Sequence, residues 1–550
     1  MIFRTVSVLL CIACVAMLEV RQARAAPELD RAYAFRFLEQ ATFGPTQADI
    51  DRLAALAHNS DPYESWIDEQ MTLAPSLLLP VLQAKRASGT TGARLLNAAR
   101  QEAWLRTSVV GSDQLRQRVA FALSEIMVVS QHGALFQMPL ALGAFYDVLS
   151  RDAFGNFRQL LEEVTLHPAM GVYLSMLGNQ KPDAERNVRP DENYARELLQ
   201  LFTIGLVQLN PDGSIRTDAS GVPIPTYDQS AIEGFANVFT GWNYANASTF
   251  AAAKRTIANQ TLPMQAYPEQ HSPLAKRLLE YPGAVQTELP PGQTPAQDLA
   301  GALDNVFNHP NVAPFIALRL IQRLVTSNPA PAYVRRIASV FEDDGAGRRG
   351  ELGAVVRAIL LDPEARPDLQ TASDVTGKVK EPLLRLIQLW RAYDASAKNG
   401  VYGFVDADLK FGQGHLLSPS VFNFFTPEYA PQGEIAERGF ASPEMQIATE
   451  NLNTQITNYF YTQIFSRNST QTGLRNDVIV INIGPEAAIA SDPDALVALL
   501  AEKLLGSRIS PQLAAEARAA VLRWPSTKRG QRVAEAMYLI VTSPQFAVQR

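Results

Sequence analysis

The residues of this sequence best suited to acid–base chemistry are an adjacent arginine and glutamate inside an apolar segment. In RPDENYARELLQLFTIGL (residues 189–206), helical spacing places Asn193, Arg196 and Glu197 on one narrow polar stripe beside a broad apolar arc. Burial beside such an arc raises the pKa of a glutamate toward the range in which it can act as a general acid or base. Glu197 is therefore a candidate catalytic residue, and Asn193 and Arg196 are candidate binding residues.

The alternative for the same stripe is structural. Arg196 and Glu197 would then be ordinary charges on the solvated strip of a buried helix, or members of ion pairs that determine how the helices pack. On either interpretation the stripe is too narrow for a fully exposed helix. Because an unpaired buried charge is costly, we expect Glu197 to be partly buried and to have a hydrogen-bonding or ionic partner.

A second candidate group lies in a segment without helical periodicity. His271 is one of six histidines and lies in YPEQHSPLAK, with Glu269 and Lys276 nearby. A loop histidine with neighbouring charges is suited to proton transfer, since the unperturbed pKa of histidine lies near neutral pH. His271 is thus a candidate catalytic residue and Lys276 a candidate binding residue. The alternative is a histidine on the protein surface.

Two further residues are candidates for binding. Arg116, in LRQRVAFALSEI, falls on the apolar side of its predicted helix, so it needs a carboxylate partner or a route to solvent. Arg118 and Glu125 share a different face of that helix. Trp242, in FTGWNY, follows a predicted helix end and could stack on a sugar ring, although packing beneath the loop is the alternative.

Motifs for metals and common catalytic sites do not occur in the sequence. There is no His-Glu-x-x-His, no pair of histidines at helical spacing and no EF-hand loop. There is also no Gly-x-Ser-x-Gly nucleophile elbow and no phosphate loop. We therefore predict no metal site and no cofactor.

The N-terminus predicts export from the cell. Residues 1–25 combine an apolar run with Ala23-Arg24-Ala25, the small residues that a signal peptidase recognises. Cys11 and Cys14 are the only cysteines, so the mature chain is expected to contain no disulfide and no thiolate. The formal net charge of −6, without a long basic run, argues against nucleic acid as a partner. No later apolar run approaches the length of a membrane span. The predicted destination is periplasmic or extracellular.

Helical periodicity runs through most of the chain and predicts a mostly α, large multi-helix globular protein. The one convincing β signal is in residues 205–227, where two turn motifs separate short β-prone pieces and predict a small β-hairpin insertion. Residues 246–296 lose the periodicity and gain proline, glutamine and threonine. The chain could therefore consist of two helical halves, 30–245 and 297–548, joined by this irregular segment.

Several stretches together resemble a known bacterial family, domain of unknown function 1800. The most specific are NYARELLQLFTIG (193–205) and IEGFANVFTGWNY (232–244). Other matching stretches are FLEQATFGPT (37–46), LRQRVAFALSEIMVVS (115–130), HPAMGVYLSMLGN (167–179), HPNVAPFIALRLIQRLVTSNP (309–329), GKVKEPLLRL (377–386) and LSPSVFNFFTPEYAP (417–431). The resemblance implies one family unit over residues 30–548 and an exported protein of no assigned function.

The resemblance also implies a candidate partner. Members of this family are commonly encoded beside a second exported family, domain of unknown function 1501. One hypothesis is a scaffold or binding protein that handles envelope or extracellular polymer together with such a partner. The alternative is a secreted or periplasmic hydrolase-type enzyme that acts on an envelope polymer with Glu197 as acid or base.

Overall fold

The computed structural model describes residues 30–56, 61–367, 376–404 and 406–550. Within these ranges helices dominate, and the β-strands form only two-stranded pairs. The predicted mostly α fold class is therefore confirmed. The predicted signal peptide lies outside the described residues.

The first half contains eleven helices within the described residues. They are α1 (Arg31–Ala41), α2 (Gln47–Leu56), α3 (Pro62–Thr72), α4 (Leu79–Ala87), α5 (Ala93–Val110), α6 (Gln114–Ser124), α7 (Pro139–Arg151), α8 (Phe157–Thr165), α9 (Pro168–Tyr173), α10 (Asn193–Glu197) and α11 (Gln229–Val238).

The second half continues with more helices: α12 (Pro295–Phe307), α13 (Val312–Leu324), α14 (Pro331–Glu342), α15 (Leu352–Leu361), α16 (Pro382–Ala392), α17 (Ala407–Phe411), α18 (Glu434–Glu437), α19 (Glu450–Tyr461), α20 (Gly484–Ile489), α21 (Pro493–Leu505), α22 (Pro511–Leu522), α23 (Arg529–Val541) and α24 (Pro544–Ala547). The strands are β1 (Trp242–Asn243), β2 (Gln265–Ala266), β3 (Lys276–Arg277), β4 (Glu288–Leu289), β5 (Lys378–Val379) and β6 (Val548–Gln549), paired antiparallel as β1–β2, β3–β4 and β5–β6.

Local sequence explains where the helices begin and end. At α12, the Thr294 hydroxyl accepts from the backbone N–H of Gln297 while the Gln297 side chain accepts from the Thr294 N–H, which satisfies two free donors of the first turn. At α21, the Asp492 side chain caps the N-terminus, and Gly506 adopts a left-handed conformation (φ +58°) at the other end.

Buried apolar side chains from both halves belong to one continuous core cluster, which includes Trp104, Phe202, Leu320, Trp390 and Met537. Burial of apolar side chains on this scale is the dominant favourable contribution to folding. No helix among the described residues has both the length and the apolar character needed to cross a bilayer.

The segment that carries Glu197 changes its helical geometry. α10 ends at Glu197, and the chain continues as a π-helix over Leu198–Thr203. The backbone N–H of Ile204 donates to the carbonyl of Leu199 (3.0 Å), five residues earlier, and the Thr203 hydroxyl donates to the Leu198 carbonyl (2.6 Å). π-Helical turns are rare and occur frequently at functional sites.

The β insertion, residues 205–227, connects this π-helix to α11. Its short pieces are joined by isolated antiparallel bridges, Val207 to Pro225, Leu209 to Ile215 and Thr217 to Pro223. Both predicted turns are present, so the insertion contains two consecutive hairpin-like turns rather than a single hairpin.

Candidate functional site

A groove of about 520 Å³ lies between the β insertion, the π-helix, α13 and the loop of residues 417–428. Its size is that of a small-molecule site. Most of its walls are apolar: Ile126, Leu201, Ile204, Leu206, Val207, Leu209, Ile215, Phe315, Leu318, Val421, Phe422 and Phe425. The groove could therefore bury an apolar ligand or an apolar part of a larger one.

Four charged residues also line this groove, and they form two pairs: exposed Glu428 with Arg319, and Glu125 with Arg323. Glu125 directly follows α6, and Arg323 is in the last turn of α13. The two side chains are only 2% and 6% exposed, and Arg323 Nη1 lies 3.5 Å from Glu125 Oε2. The guanidinium also lies over the ring of Phe425, 4.6 Å from its centroid. Glu125 and Arg323 thus form a buried charged pair on a groove whose walls are mostly apolar.

Glu125 and Arg323 belong to a larger buried charge cluster, which we define as Arg118, Glu125, Arg323, Lys378, Glu381 and Glu444. The backbone carbonyl of Arg323 accepts hydrogen bonds from Arg118 Nη2 (2.6 Å) and from Lys378 Nζ (3.0 Å). Lys378 Nζ also lies 3.3 Å from Glu381 and 3.1 Å from Glu444. Cations near the last carbonyls of a helix are favourable, which explains the arrangement at the end of α13.

Neutral amides connect two of the three buried carboxyl groups of the cluster, Glu125 and Glu381. Gln413 Nε2 donates to Glu381 Oε2 (2.5 Å) and to Glu125 Oε1 (3.3 Å), and Asn423 Nδ2 donates to Glu125 Oε1 (3.4 Å). Oε2 of Glu125 is buried and receives no hydrogen bond from the part of the chain that the structure describes. The two oxygens of Glu125 are therefore in different environments.

The environments move the pKa values of the two carboxyl groups in opposite directions. Burial is the largest influence on Glu125 and raises its pKa; Arg323 opposes this, whereas nearby Glu381 adds to it. Burial would also raise the pKa of Glu381, but Lys378, Arg118 and Arg323 together outweigh burial and lower it. Pairs of carboxyl groups with diverging pKa values are typical of sites that handle protons.

Five of the eight stretches that carry the family resemblance converge on this site. Residues 115–130 contribute Arg118 and Glu125, residues 193–205 form the π-helical wall, and residues 309–329 contribute Arg323. Lys378 and Glu381 come from the stretch 377–386, and Phe425 and Asn423 come from 417–431. Segments far apart in the sequence thus build one cluster and one groove.

Glu197 is buried, as the sequence predicts, but it does not line this groove. Burial raises the pKa of Glu197, and neighbouring Arg196 partly opposes the increase. The prediction of a hydrogen-bonding or ionic partner is wrong for the described residues, because none of them donates to Oε2 of Glu197 or forms an ion pair with its carboxylate. Arg196 instead pairs with Glu192 (3.0 Å), and Asn193 is exposed.

His271 and Lys276 do come together, inside the protein. His271 Nε2 lies 2.8 Å from Oδ2 of Asp298, and Lys276 Nζ lies 2.6 Å from the same oxygen. Nδ1 of His271 is 2.8 Å from the carbonyl of Thr240. We call His271, Lys276 and Asp298 the His271 trio. Within the described ranges, no hydrogen bond or ion pair joins the trio to Glu197 or Arg196.

Arg116 forms no ion pair with a carboxylate of the described residues and donates to four backbone carbonyls. Nη1 donates to Ser150 and Arg151 at the end of α7, and Nη2 donates to Met71 and Leu73 at the end of α3. A cation at these helix ends satisfies free carbonyls, so Arg116 holds two helix termini together.

Trp242 is buried in β1, where it pairs with Ala266, and it is not on an exposed loop. Its carbonyl accepts from the backbone N–H of Gly178 at 2.9 Å. This environment matches packing beneath the loop, the alternative to sugar stacking.

Sequence reasoning missed Arg323, Lys378, Glu381, Glu444 and Asp298 as site residues. A signal was available for three of them, because Arg323, Lys378 and Glu381 lie within stretches that carry the family resemblance. The polar stripe of residues 193–197 is visible within one short segment, whereas these charged residues are far apart along the chain.

The described ranges contain neither a cluster of metal ligands nor a glycine-rich turn in the context of a dinucleotide site. No group of three His, Cys, Asp or Glu side chains there could hold a metal ion. The spacing Gly-x-Gly-x-x-Gly occurs at residues 345–350. It joins α14 to α15 rather than a strand to a helix, so it lacks the context of a dinucleotide-binding turn.

Comparison with known proteins identifies the family. No curated protein and no solved structure matches the chain. A family model described as a protein of unknown function, DUF1800, matches residues 36–548, nearly the whole chain. The chain therefore belongs to the DUF1800 family.

Proposed function

We propose that the protein is an exported binding protein whose groove accepts an apolar chain of envelope or extracellular material. The observation that carries this proposal is the apolar lining of the groove, together with exposed apolar side chains at its mouth. Leu206, Ile215 and Phe422 line the groove and are 56%, 54% and 50% exposed. Apolar side chains gathered around a concave surface favour the binding of an apolar ligand.

A groove variant tests the proposal. In purified mature protein, Leu206→Asp places a charge on the groove wall at a side chain that contributes little to the core. Val222→Asp is the matched control, because Val222 belongs to the same β insertion, is 57% exposed and does not line the groove. Binding of octan-1-ol is followed by NMR titration. We expect Leu206→Asp to weaken binding by about tenfold or more, since an alkyl chain beside a charge is unfavourable.

The control variant should bind octan-1-ol within about twofold of the wild type. Equal effects of the two substitutions would contradict binding in the groove. Failure of the wild type to bind any alkyl probe would contradict the proposed function itself.

Export and the partner form the second part of the proposal. Small residues after the apolar N-terminal run support export, and the family resemblance supports a co-encoded DUF1501 partner. Mass spectrometry of protein from the native host should show an N-terminus near Ala26. Co-purification of the two mature proteins tests the partnership, with Leu206→Asp as a variant that shows whether the groove takes part.

A hydrolase-type enzyme remains the second candidate, now with Glu125 in place of Glu197. The observation that favours it is a carboxyl group of raised pKa beside Arg323 on the groove. Glu444 also has a pKa raised by burial but does not line the groove, so Glu125 is the groove-lining carboxyl whose pKa burial raises. The test is an assay of turnover with envelope polysaccharides, peptidoglycan and alkyl esters as substrates. An activity that Glu125→Gln abolishes and Glu197→Gln retains would favour the enzyme.

A further inference from the structure

We propose that the chain bound in the groove ends in a carboxylate group, which Arg323 holds while Glu125 is neutral, and that ionisation of Glu125 releases it. This inference rests on the proposed binding function and names the chemical class of the ligand. It concerns the charged region of the groove, whereas the proposed function concerns the apolar walls.

The guanidinium of Arg323 has hydrogen-bond donors that other described residues do not use. Its guanidinium lines the groove and contacts the ring of Phe425, and it donates no hydrogen bond to another described residue. Its nearest anion, Glu125 Oε2, is 3.5 Å away, beyond the usual length of a charge-assisted hydrogen bond. Arg323 therefore retains several donors for a ligand with acceptor oxygens.

The buried charge cluster contains three cations and three carboxyl groups. Glu381 and Glu444 lie within 3.3 and 3.1 Å of Lys378, and Glu381 is the strongest electrostatic partner of Arg118. Glu125 is the carboxyl that remains for Arg323. When Glu125 is neutral, the cluster has three cations, Arg118, Arg323 and Lys378, and at most two carboxylates. The cation that then has no close carboxylate partner is Arg323, which lines the groove. An anionic group complements that charge.

The protonation of Glu125 depends on burial and on the charges around it. The titratable groups around it are Arg118 on its own helix, Arg323 on α13, Lys378 on β5, and Glu381 at the start of α16. Gln413 and Asn423 both donate to Oε1, so a proton on Glu125 belongs on Oε2, which receives no hydrogen bond from a described residue. Burial and Glu381 raise the pKa of Glu125, while Arg323 and Lys378 oppose this.

The apolar walls of the groove indicate what kind of chain bears the carboxylate. Peptide groups in the groove would need hydrogen-bond partners along their length, because buried unpaired amides are costly. The walls beside Glu125 and Arg323 are instead formed by Ile126, Leu201, Phe425 and other apolar side chains. An alkyl chain needs no such partners, and a terminal carboxylate matches the planar guanidinium of Arg323. We therefore infer an alkyl carboxylate rather than a peptide C-terminus.

The consequence is a binding affinity that depends on pH. At low pH, neutral Glu125 leaves Arg323 available to the carboxylate. As pH rises through the pKa of Glu125, ionised Glu125 neutralises Arg323 and repels the ligand. The affinity for an alkyl carboxylate should then fall at high pH, whereas that for a neutral alkyl alcohol should not.

The test compares octanoate with octan-1-ol by titration calorimetry or NMR at about pH 6 and about pH 9. Arg323→Met keeps the apolar stem and removes the charge, and should weaken octanoate binding about ten- to a hundredfold with little effect on octan-1-ol. Glu125→Gln should bind octanoate at least as tightly as the wild type and should lose the decrease in affinity at high pH. Glu434→Gln is the matched control, because Glu434 is exposed, pairs with Arg438 and does not line the groove.

We expect the control to retain the pH dependence of the wild type. A Glu125→Gln variant with the same pH dependence as the wild type would overturn the inference, as would octanoate binding that Arg323→Met does not weaken. Binding of octan-1-ol without preference for octanoate would contradict the inference alone. Absence of binding by both probes would contradict the proposed function as well. A peptide with a C-terminal carboxylate that binds more tightly than octanoate would favour the other ligand class.

Discussion

The groove end of the charge cluster and the His271 trio are both buried sites with charged side chains, but their hydrogen bonding differs. In the trio, one oxygen of Asp298 is 2.8 Å from His271 and 2.6 Å from Lys276, and all three side chains are at most 3% exposed. At the groove, Arg323 and Glu125 are 3.5 Å apart. Oδ1 of Asp298 and Oε2 of Glu125 are both buried without a hydrogen-bond donor among the described residues, but only Glu125 lines the groove. Close ion pairs inside the protein are typical of a structural group, whereas unused bonding capacity on a groove is available to a ligand.

The comparison predicts the largest loss of stability in the trio. Asp298→Asn should lower the free energy of unfolding by about 3–5 kcal/mol, because it leaves Lys276 buried without its carboxylate. Urea unfolding measures the change. Asp304→Asn is the matched control, since Asp304 is on the same helix but is exposed and pairs with Arg158, so we expect a loss below about 1 kcal/mol. Equal losses would show that the trio is not a structural group.

The second prediction concerns the anion that balances the charge cluster. Glu381→Gln should lower the free energy of unfolding by about 2–4 kcal/mol at neutral pH, because Lys378 and Arg118 lose a buried counter-charge. The pKa of Glu381 is lowered in the folded state, so its stabilising effect is present above the unfolded pKa of about 4.3 and is lost as pH falls below it. The difference between variant and wild type should therefore shrink in urea unfolding at low pH. A constant difference would be evidence against this linkage.

Glu125 should behave in the opposite way to Glu381. Its folded pKa is raised, so its effect on stability is most favourable below the unfolded pKa of about 4.3 and is lost as pH rises through the folded pKa. The wild type should thus become less stable between about pH 5 and about pH 9, by an amount on the order of 1 kcal/mol for each unit of pKa difference.

Glu125→Gln should remove that decrease and change stability near pH 5 by less than about 1 kcal/mol, because a neutral carboxyl resembles an amide. Urea unfolding at both pH values checks this, with Glu434→Gln as the control. A variant that loses stability at every pH would indicate that ionised Glu125 is a structural partner of Arg323, like Asp298 in the trio.

Glu197 should have a smaller effect than either cluster glutamate. Because its Oε2 has no hydrogen-bond donor and burial raises its pKa, Glu197→Gln should change the free energy of unfolding by less than about 1 kcal/mol, or increase it slightly. Thermal unfolding detects the change. A loss of several kcal/mol would show that Glu197 has a structural partner after all, and loss of activity or binding without loss of stability would restore it as a functional residue.

The smallest effect is expected at the exposed end of α10. Arg196 pairs with Glu192 one turn earlier at 3.0 Å, and both side chains are accessible to solvent. Arg196→Ala should therefore cost only about 0.2–0.5 kcal/mol, an effect that salt screens. Thermal unfolding at low and high salt concentrations measures it. A larger effect would mean that the polar stripe of the helix, rather than the charge cluster, is the sensitive charged region.

The candidate site shows how far sequence reasoning extends. It correctly predicted that Glu197 is buried, because burial of one face of a helix follows from the spacing of apolar residues. It also selected His271 and Lys276, which do meet, but it missed Asp298, the residue that joins them. Asp298 is in the first turn of a helix, where an acidic residue is ordinary, so its type and position carried no signal.

The sequence by itself determined the mostly α fold class, the positions of the turns in residues 205–227 and the family. These properties depend on local spacing and on short motifs, which are present in the chain before it folds. Only the tertiary structure decided that Glu125, Arg323 and Glu381 meet beside one groove. Their separation along the chain is large, so their proximity depends on how the helices pack around a common core. Their pKa values depend on burial and on neighbouring charges, and both arise only from that packing.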